Sequence, residues 1–315
     1  MLEVNKNTYL IGPAFEIYPE DDEFPNALKV LPDAPKKLYL VGNPNALKEG
    51  IGIVGARRAT PYGLSCTRHF ASIAAKQDVV VISGGAYGCD SASHKAALKA
   101  NKQTVVFLGG GCNYIYPTNN TSMYQEVIDK DGAIVSEQPW DFKALPFTFL
   151  QRNRLIAGLS KALLIVEAGL PSGTFSTADF AIKYNKEVLA VPGPITNDNS
   201  TGCNKLIYEG AKPIINDEVF YNVLFDLFSC TKPKDYEKNI KEYEKTKHKI
   251  MDSDNPILNA LMAQAMSVDD LYKIAKFQSG NKNPSVWLSQ KLVEAENTGM
   301  VCKYPNGMYG PVLKS

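Results

Sequence analysis

Arginine is rare in this chain and is concentrated in two short segments. Of 34 Lys and Arg residues, only five are arginine: Arg57, Arg58, Arg68, Arg152 and Arg154. The planar guanidinium fork matches phosphate and carboxylate and stacks on flat rings, whereas an ammonium is a point charge. Any one of these arginines could equally form a structural salt bridge. Because both clusters lie beside glycine-rich turns, together they favour an anion-binding site.

The second cluster begins a predicted helix that runs directly into an apolar strand. Residues 149–160 have helical character, and residues 162–167 form a continuous apolar run that ends in a glutamate. This order places Arg152, Asn153 and Arg154 on one helical turn, immediately before a strand that is buried on both faces.

Six apolar runs separated by helical segments indicate the sheet that must position these side chains. They are residues 51–55, 79–83, 104–108, 133–136, 163–167 and 187–191. Runs of this kind predict an α/β fold with a mostly parallel, Rossmann-like sheet and helices on both faces. In such sheets ligands bind beyond the carboxyl ends of the strands.

Glycine-rich turns follow several of the runs. They are Gly55-Ala56-Arg57-Arg58, Ser83-Gly84-Gly85-Ala86, Gly109-Gly110-Gly111 and Ser172-Gly173-Thr174. Glycine lets backbone N–H groups approach an anion, and helix N-termini add positive partial charge. A tight βα connection explains any single turn better, and the combination is what favours a site. The sequence has neither GxGxxG in register nor GxxxxGK[ST], so it predicts no dinucleotide fingerprint and no P-loop.

Composition narrows the classes of protein that need be considered. The 315 residues allow two domains, and their net charge is +1. Residues 231–315 carry 13 Lys and 10 Asp+Glu, a net of +3, which leaves −2 for residues 1–230. A polyanion must therefore bind to a local patch of positive charge.

Three further features bear on location and cofactors. The six cysteines are dispersed, and the sequence shows no signal peptide and no apolar run of about 20 residues. These features predict a cytoplasmic protein without metal, cofactor or membrane span.

Four segments are predicted along the chain. They are an extended N-terminal segment (1–50) wrapping the sheet, the Rossmann-like domain (51–230), a charged linker (231–254) and a small winged-helix domain (255–315). The last reads as three helices and a hairpin turning at Asn306-Gly307. Its third helix carries one basic residue, Lys291, and two acidic residues, Glu294 and Glu296. This charge favours protein binding or packing over recognition of duplex DNA. In the sheet domain, Asp90 is predicted to cap a helix over 91–100.

The order and spacing of the motifs resemble a known family. Among them are Ile53-Val54-Gly55-Ala56-Arg57, Ser83-Gly84-Gly85-Ala86-Tyr87-Gly88-Cys89-Asp90, Tyr116-Pro117, Arg152-Asn153-Arg154-Leu155-Ile156-Ala157-Gly158 and Val191-Pro192-Gly193. With Ser172-Gly173-Thr174, these are similar to the DNA-processing protein A (DprA, or Smf) family of bacterial recombination mediators, over nearly the whole chain.

The resemblance implies a function and a set of binding residues. It implies a domain that binds single-stranded DNA, protects it during natural transformation, dimerises and loads a RecA-type recombinase, without catalysis. Carried over by position, the resemblance places Arg57, Arg152, Asn153, Arg154 and the Gly84 and Gly173 turns in the DNA pocket. The full set of predicted DNA-binding residues is Arg57, Arg58, Ser83, Gly84, Gly85, Tyr87, Phe149, Arg152, Asn153, Arg154, Ser172, Gly173, Thr174 and Lys183. Phe149 could stack on a base or lie in the core, and surface solubility explains Lys183 better than groove binding does.

Two departures from the family pattern bear on this expectation. Tyr87 stands where the family usually has a basic residue, and Cys89 replaces an aliphatic one. The site therefore loses a charge, so that affinity is expected to be weaker or the ligand altered.

The rival hypotheses are an enzyme and a nucleotide sensor. Phosphoribohydrolases of the LOG type share this fold class and carry PGGxGTxxE, but Thr177 occupies the position of that glutamate, which removes the acid–base group. A sensor would hold a small nucleotide in the same cleft. Asp90 and His94 lie one helical turn apart, yet no nucleophile–base–orienter set accompanies them, so no catalytic residue is predicted.

Overall fold

The computed structural model describes residues 10–230, 255–280, 282–304 and 307–312. The chain divides into two compact units, Met1–Thr231 and Lys232–Ser315. The predicted linker, 231–254, lies outside the described residues.

The larger unit is built on one nine-stranded sheet. Its strands are β1 (Ala14–Ile17), β2 (Leu38–Gly42), β3 (Gly50–Val54), β4 (Val81–Ser83), β5 (Thr104–Phe107), β6 (Ala133–Ser136), β7 (Ser160–Ile165), β8 (Glu187–Ala190) and β9 (Lys212–Pro213). Their spatial order is β1-β2-β6-β5-β4-β3-β7-β8-β9. All pairs from β6 to β9 are parallel, whereas β1–β2 and β2–β6 are antiparallel. The chain proceeds to one side of β3 and then to the other, which creates a switch point beside β3.

Helices cover both faces of this sheet, which confirms the predicted α/β fold. They are α1 (Asn26–Lys29), α2 (Pro61–Lys76), α3 (Cys89–Lys99), α4 (Thr121–Asp129), α5 (Pro146–Leu159), α6 (Thr174–Lys183), α7 (Asp198–Tyr208) and α8 (Asp217–Phe228). Along β7, Leu163 and Ile165 join the core beneath α5 and α6, while Ala162 and Leu164 join the core beneath α2 and α8. Both faces of the strand are buried, and its sequence is therefore continuously apolar.

The N-terminal segment is part of the sheet instead of a wrapping strap. Tyr39 of β2 pairs with Ser136 of β6, and Phe15 of β1 pairs with Leu40 of β2. Only Ile17 of the four β1 residues is buried. An outer strand with one buried residue leaves no apolar run in the sequence, so the sequence does not predict β1.

Asp90 does not cap α3. The helix begins at Cys89, and its N-cap is Gly88, which has a φ of 75°. Asp90 lies inside the first turn, buried, and its Oδ2 accepts a long hydrogen bond from the Ala86 N–H at 3.4 Å. A carboxylate suits a first turn as well as a cap, because both positions lie near the positive end of the helix dipole.

Four helix-to-strand turns are built alike. Asp78, Asn101, Asp131 and Asn185 precede β4, β5, β6 and β8, and their φ values are 59°, 56°, 58° and 54°. Asn and Asp tolerate this left-handed conformation better than other non-glycine residues do. Each turn closes a helix within a few residues of the next strand.

The smaller unit has a core of its own. It contains α9 (Pro256–Ala263), α10 (Val268–Gln278), α11 (Pro284–Asn297), β10 (Val301–Lys303) and β11 (Tyr309–Pro311). Leu261, Leu271, Trp287 and Leu288 are buried in its core. Ser267 caps α10 by accepting the Asp270 N–H at 3.2 Å. The strands form the expected antiparallel pair, although Asn306 in the predicted turn lies outside the described residues; the winged-helix assignment stays a prediction.

Candidate nucleic-acid interface

A cleft lies beyond the carboxyl ends of β3, β4 and β5, on one side of the switch point between β3 and β7. It is lined by Arg57, Gly84, Ala86, Tyr87, Tyr116, Pro117, Phe149 and Arg152. We call it the arginine cleft. Five of the sequence-predicted residues therefore meet in one place, although they come from two loops and the first half of α5.

Arg152 is fixed in this cleft by backbone carbonyls. Its Nη1 donates to the Gly84 carbonyl at 2.6 Å and to the Phe107 carbonyl, and its Nε donates to Asn153 Oδ1 at 3.2 Å. The guanidinium lies directly on Gly84, where an added Cβ would be 2.5 Å from Nη1. Within the described part of the chain Nη2 has no acceptor, so Arg152 is anchored by one side of its fork while the other keeps donors for a ligand.

Asp90 is the carboxyl group whose charge acts most strongly on Arg152. Burial raises the pKa of Asp90, and the positive charge of Arg152 opposes that rise. Burial likewise lowers the pKa of Arg152, with Asp90 opposing the change. Arg57, by contrast, is exposed and has no ion-pair partner among the described residues. It therefore supplies the cleft with an uncompensated positive charge.

The ring of Phe149 lies against the guanidinium groups of both Arg57 and Arg152. The Cζ atoms of Arg57 and Arg152 lie 5.8 and 5.9 Å from its ring centroid, within cation–π range. Its ring is half-buried and packs so closely on Gly109 that a Cβ there would be 2.7 Å away. Of the two interpretations left open by the sequence, packing accounts for these contacts, and the ring orients the two arginines.

The structure does not bring Arg154 to the arginine cleft. Its Nη2 pairs with Glu137, its Nε lies 3.8 Å from Asp33, and Tyr184 donates to the same Asp33 at 2.7 Å. Burial raises the pKa of Glu137, and Arg154 opposes that rise. Residues two apart on a helix point about 200° apart, so the single helical turn predicted to present both arginines to DNA presents only one.

Asn153 connects α5 to the turn before α6. Its Nδ2 donates to Ser176 Oγ at 2.8 Å and to the Gly173 carbonyl at 3.4 Å. Ser172 Oγ accepts the Thr174 N–H at 3.2 Å, while an added Cβ on Gly173 would meet nothing within 4 Å. The turn is thus held beside α5 and has open space over its backbone.

The remaining predicted residues lie outside the cleft lining or support the backbone around it. Ser83 is buried and donates to the Ile53 carbonyl at 2.6 Å, which makes it structural. Gly85 adopts a φ of 69° against Tyr124. Arg58 is exposed, and its carbonyl accepts Asn199 Nδ2 at 3.0 Å. Lys183 lies in the last turn of α6, at the amino edge of the sheet and opposite the cleft.

The titratable groups nearby do not form a catalytic set. Thr104 Oγ1 donates to the Val81 carbonyl at 2.6 Å, so it must accept its 2.7 Å bond from His94 Nδ1. Burial lowers the pKa of His94 to about 3, and the imidazole is neutral. Thr177, at the position of the LOG glutamate, is buried. Across the described residues no group of three or more His, Cys, Asp or Glu could hold a metal ion.

Fold and cleft together define a Rossmann-like α/β protein with a cationic, aromatic-backed cleft at the carboxyl edge of its sheet. The family described as DNA recombination-mediator protein A matches residues 16–224. The chain belongs to that family. The family resemblance in the sequence is thereby confirmed.

Relatives at 35–38% identity agree with this assignment. Protein Smf of Escherichia coli is 38% identical over 222 residues, 70% of this chain and 59% of that protein. DNA processing protein DprA of Bacillus subtilis is 35% identical over 204 residues, 64% of this chain and 68% of that protein. Against the E. coli, Synechocystis and Mycobacterium tuberculosis relatives, the chain spans 59%, 52% and 54% of their lengths.

Two solved structures share the fold. DNA processing protein A from Streptococcus pneumoniae superimposes with a TM-score of 0.61 at 32% identity, covering 67% of this chain and 74% of that one. The Helicobacter pylori protein, whose structure addresses its single-stranded DNA binding mode, gives 0.62 at 35% identity, covering 68% and 97%. In the part of the chain that the structure describes, no helix has the length and apolar character to cross a membrane.

Proposed function

We propose that this protein is a recombination mediator that binds single-stranded DNA in the arginine cleft and passes it to a RecA-type recombinase. One observation carries the proposal: the guanidiniums of Arg57 and Arg152 flank a single aromatic ring beyond the strand ends. The proposal includes protection of incoming strands in natural transformation, a homodimer formed through the Rossmann-like unit, and a cytoplasmic location. It includes no catalytic step.

The cleft suits a phosphodiester strand because its donors are fixed before the ligand arrives. Arg152 is held by two carbonyls, so its fork loses little freedom on binding a phosphate. Arg57 adds an exposed positive charge that forms no salt bridge with any described residue. Residues 1–230 carry a net charge of −2, so attraction must come from this patch and not from the whole unit.

Aromatic side chains favour a single strand over a duplex. Tyr87 and Tyr116 are exposed in the lining of the cleft. Ring faces stack on bases that are unpaired and unstacked, which a duplex does not offer. The printed subject of the H. pylori structure, a single-stranded DNA binding mode, supports the same ligand for this chain.

The decisive experiment is fluorescence anisotropy with labelled oligo-dT of increasing length, in parallel with duplex and with free mononucleotide, across a salt series. We expect affinity to rise with length over several nucleotides, to prefer single strands and to fall steeply with salt. Arg57→Ala should weaken binding, whereas the matched cation Lys183→Ala, at the opposite edge, should not.

Two results would overturn the proposal. Saturation by a mononucleotide that displaces every oligonucleotide would make the cleft a small-ligand site, as in the sensor or LOG-type hypothesis. Equal affinity of Arg57→Ala and the unsubstituted protein for oligo-dT would place DNA elsewhere on the surface. Addition of a RecA-type recombinase to the DNA complex, followed by filament assembly measured with and without the protein, tests the loading step.

A further inference from the structure

The arginine cleft contains two tyrosines with exposed rings, in addition to half-buried Phe149. Tyr87 is 44% exposed and Tyr116 is 50% exposed. They come from different loops, the first between β4 and α3 and the second between β5 and α4, and both line the cleft with Arg57 and Arg152. Large exposed rings are therefore concentrated where the guanidiniums lie.

Phe149 is poorly placed to stack on a ligand. Arg57 and Arg152 lie against its ring, and Gly109 packs on it from the protein side. Tyr116 meets Phe149 at 5.6 Å between centroids with an interplanar angle of 60°. Because this contact is edge-on and not stacked, it supports the Tyr116 ring without covering it.

A buried hydrogen-bond group holds the two tyrosine loops together. Tyr124 is fully buried, and its hydroxyl donates to the Gly85 carbonyl at 2.7 Å, with the Tyr116 carbonyl at 3.4 Å. Asn120 Nδ2 donates to the same Gly85 carbonyl at 2.9 Å. Gly85 lies two residues before Tyr87. One hydroxyl therefore positions the backbone next to Tyr87 and the backbone of Tyr116 itself.

We propose that Tyr87 and Tyr116 form an aromatic clamp that stacks on an unpaired base of the strand whose phosphate is bound by Arg57 and Arg152. The inference rests on the proposed function and deepens it: it adds Tyr116 as a binding residue and Tyr124 as a positioning residue. The occupant is a nucleobase, because a base is the flat group that a phosphate bound at Arg57 brings with it. An apolar peptide would leave the two guanidiniums without a counter-charge.

The experiment compares dT oligonucleotides with oligonucleotides of equal length and charge in which abasic sites replace the bases. The unsubstituted protein should bind dT more tightly. Tyr87→Ala and Tyr116→Ala should each weaken dT binding by about 5- to 150-fold, the range for loss of one stacked base. Neither change should alter binding of the abasic strand, because the phosphate contacts remain.

Matched variants separate stacking from bulk and from folding. Tyr116→Phe should bind as the unsubstituted protein does, whereas Tyr116→Leu, apolar but without a ring, should behave like Tyr116→Ala. Tyr124→Phe should reduce the affinity for dT without changing the affinity for the abasic strand, because it removes only the hydroxyl that holds the two tyrosine loops together. Tyr208→Ala, a 92% exposed tyrosine at the end of α7, should bind unchanged. Thermal unfolding of each variant verifies that it is folded.

The outcomes distinguish this inference from the proposed function. If dT binding is intact in Tyr87→Ala and Tyr116→Ala but is lost in Arg57→Ala, the clamp is wrong and the DNA cleft stands. If the tyrosine changes weaken abasic and dT strands equally, their role is in shaping the cleft and the stacking inference is wrong. If the unsubstituted protein binds no oligonucleotide, the proposed function fails, and the clamp fails with it.

Discussion

Arg152 and Arg154 are two residues apart on one helix and occupy opposite environments. Arg152 is held by the carbonyls of Gly84 and Phe107 and lines the arginine cleft. Arg154 is paired with Glu137 and approached by Asp33. In the sequence the two are equivalent members of one cluster. In the structure one lines the cleft proposed to bind DNA and the other supports the fold.

The difference teaches that the acceptor, more than the arginine, decides the role. Two carbonyls fix the Arg152 guanidinium without forming an ion pair, and although Asp90 acts on its charge, Nη2 keeps its donors for an anion. The carboxylates of Glu137 and Asp33 offset the charge of Arg154, although only its Nη2 donates to one of them and its buried Nη1 has no hydrogen-bond partner among the described residues. Arg154 thereby links α5 to the loop after β6 and to the loop after α1, which places it among the groups that hold the N-terminal strands to the sheet domain.

Arg154→Ala should produce the largest change in stability. Its removal leaves the half-buried Glu137 without its cation, and loss of a charge-assisted hydrogen bond costs about 1.5–3 kcal/mol. Denaturant unfolding should show this loss, while the protein that remains folded should bind oligo-dT within about twofold. An Arg154→Met, Glu137→Met double variant should recover much of the stability. Lost DNA affinity with unchanged stability would mean that Arg154 binds the strand and does not support the fold.

Arg57→Ala should produce the largest change in binding that leaves stability alone. A charge-assisted hydrogen bond contributes about 1.5–3 kcal/mol, so affinity for oligo-dT should fall about 10- to 150-fold. The side chain is exposed, and the free energy of unfolding should stay within about 0.5 kcal/mol. Arg58→Ala is the neighbouring control, expected to change affinity little. Equal losses of affinity in both variants would mean that Arg57 in the cleft lining and Arg58 outside it contribute alike to DNA binding.

The substitution His94→Gln should make the stability of the folded protein less sensitive to acid. The pKa of His94 is lowered from 6.5 to about 3 in the folded protein. Between those values the unfolded chain binds a proton that the folded chain does not, so stability falls as pH is lowered from 6.5 toward 3. The slope is at most about 1.4 kcal/mol per pH unit. Urea titrations at several pH values should show a shallower slope in His94→Gln; an unchanged slope would contradict the buried neutral imidazole.

Lys183→Ala should have the smallest effect. The side chain is exposed at the far end of α6, and both affinity and stability should change by less than about 0.5 kcal/mol. Because Lys183 is among the DNA-binding residues predicted from the sequence, a loss as large as that of Arg57→Ala would extend the DNA path to the amino edge.

The sequence predicts the interior strands and the glycine turn after β4 well, for a physical reason. Strands such as β6 and β7 are buried on both faces, so their residues are mostly apolar. The turn after β4 needs glycine at Gly84 because the Arg152 guanidinium lies against it. Side-chain direction is not predictable in the same way. The sequence does not reveal that Glu137 reaches Arg154, or that Tyr116 lies beside Phe149, because both contacts depend on loops that meet only in the folded sheet.

The left-handed Asn and Asp turns have a consequence for how this fold can diverge. Preceding β4, β5, β6 and β8, the connections are three or four residues long, whereas those leaving β3 to β8 toward the next helix have between five and thirteen. Short turns that require φ near +55° tolerate neither insertions nor bulky residues. We therefore expect changes of chain length to be tolerated mainly at the opposite edge, where the longer loops can acquire a new specificity without rebuilding the scaffold.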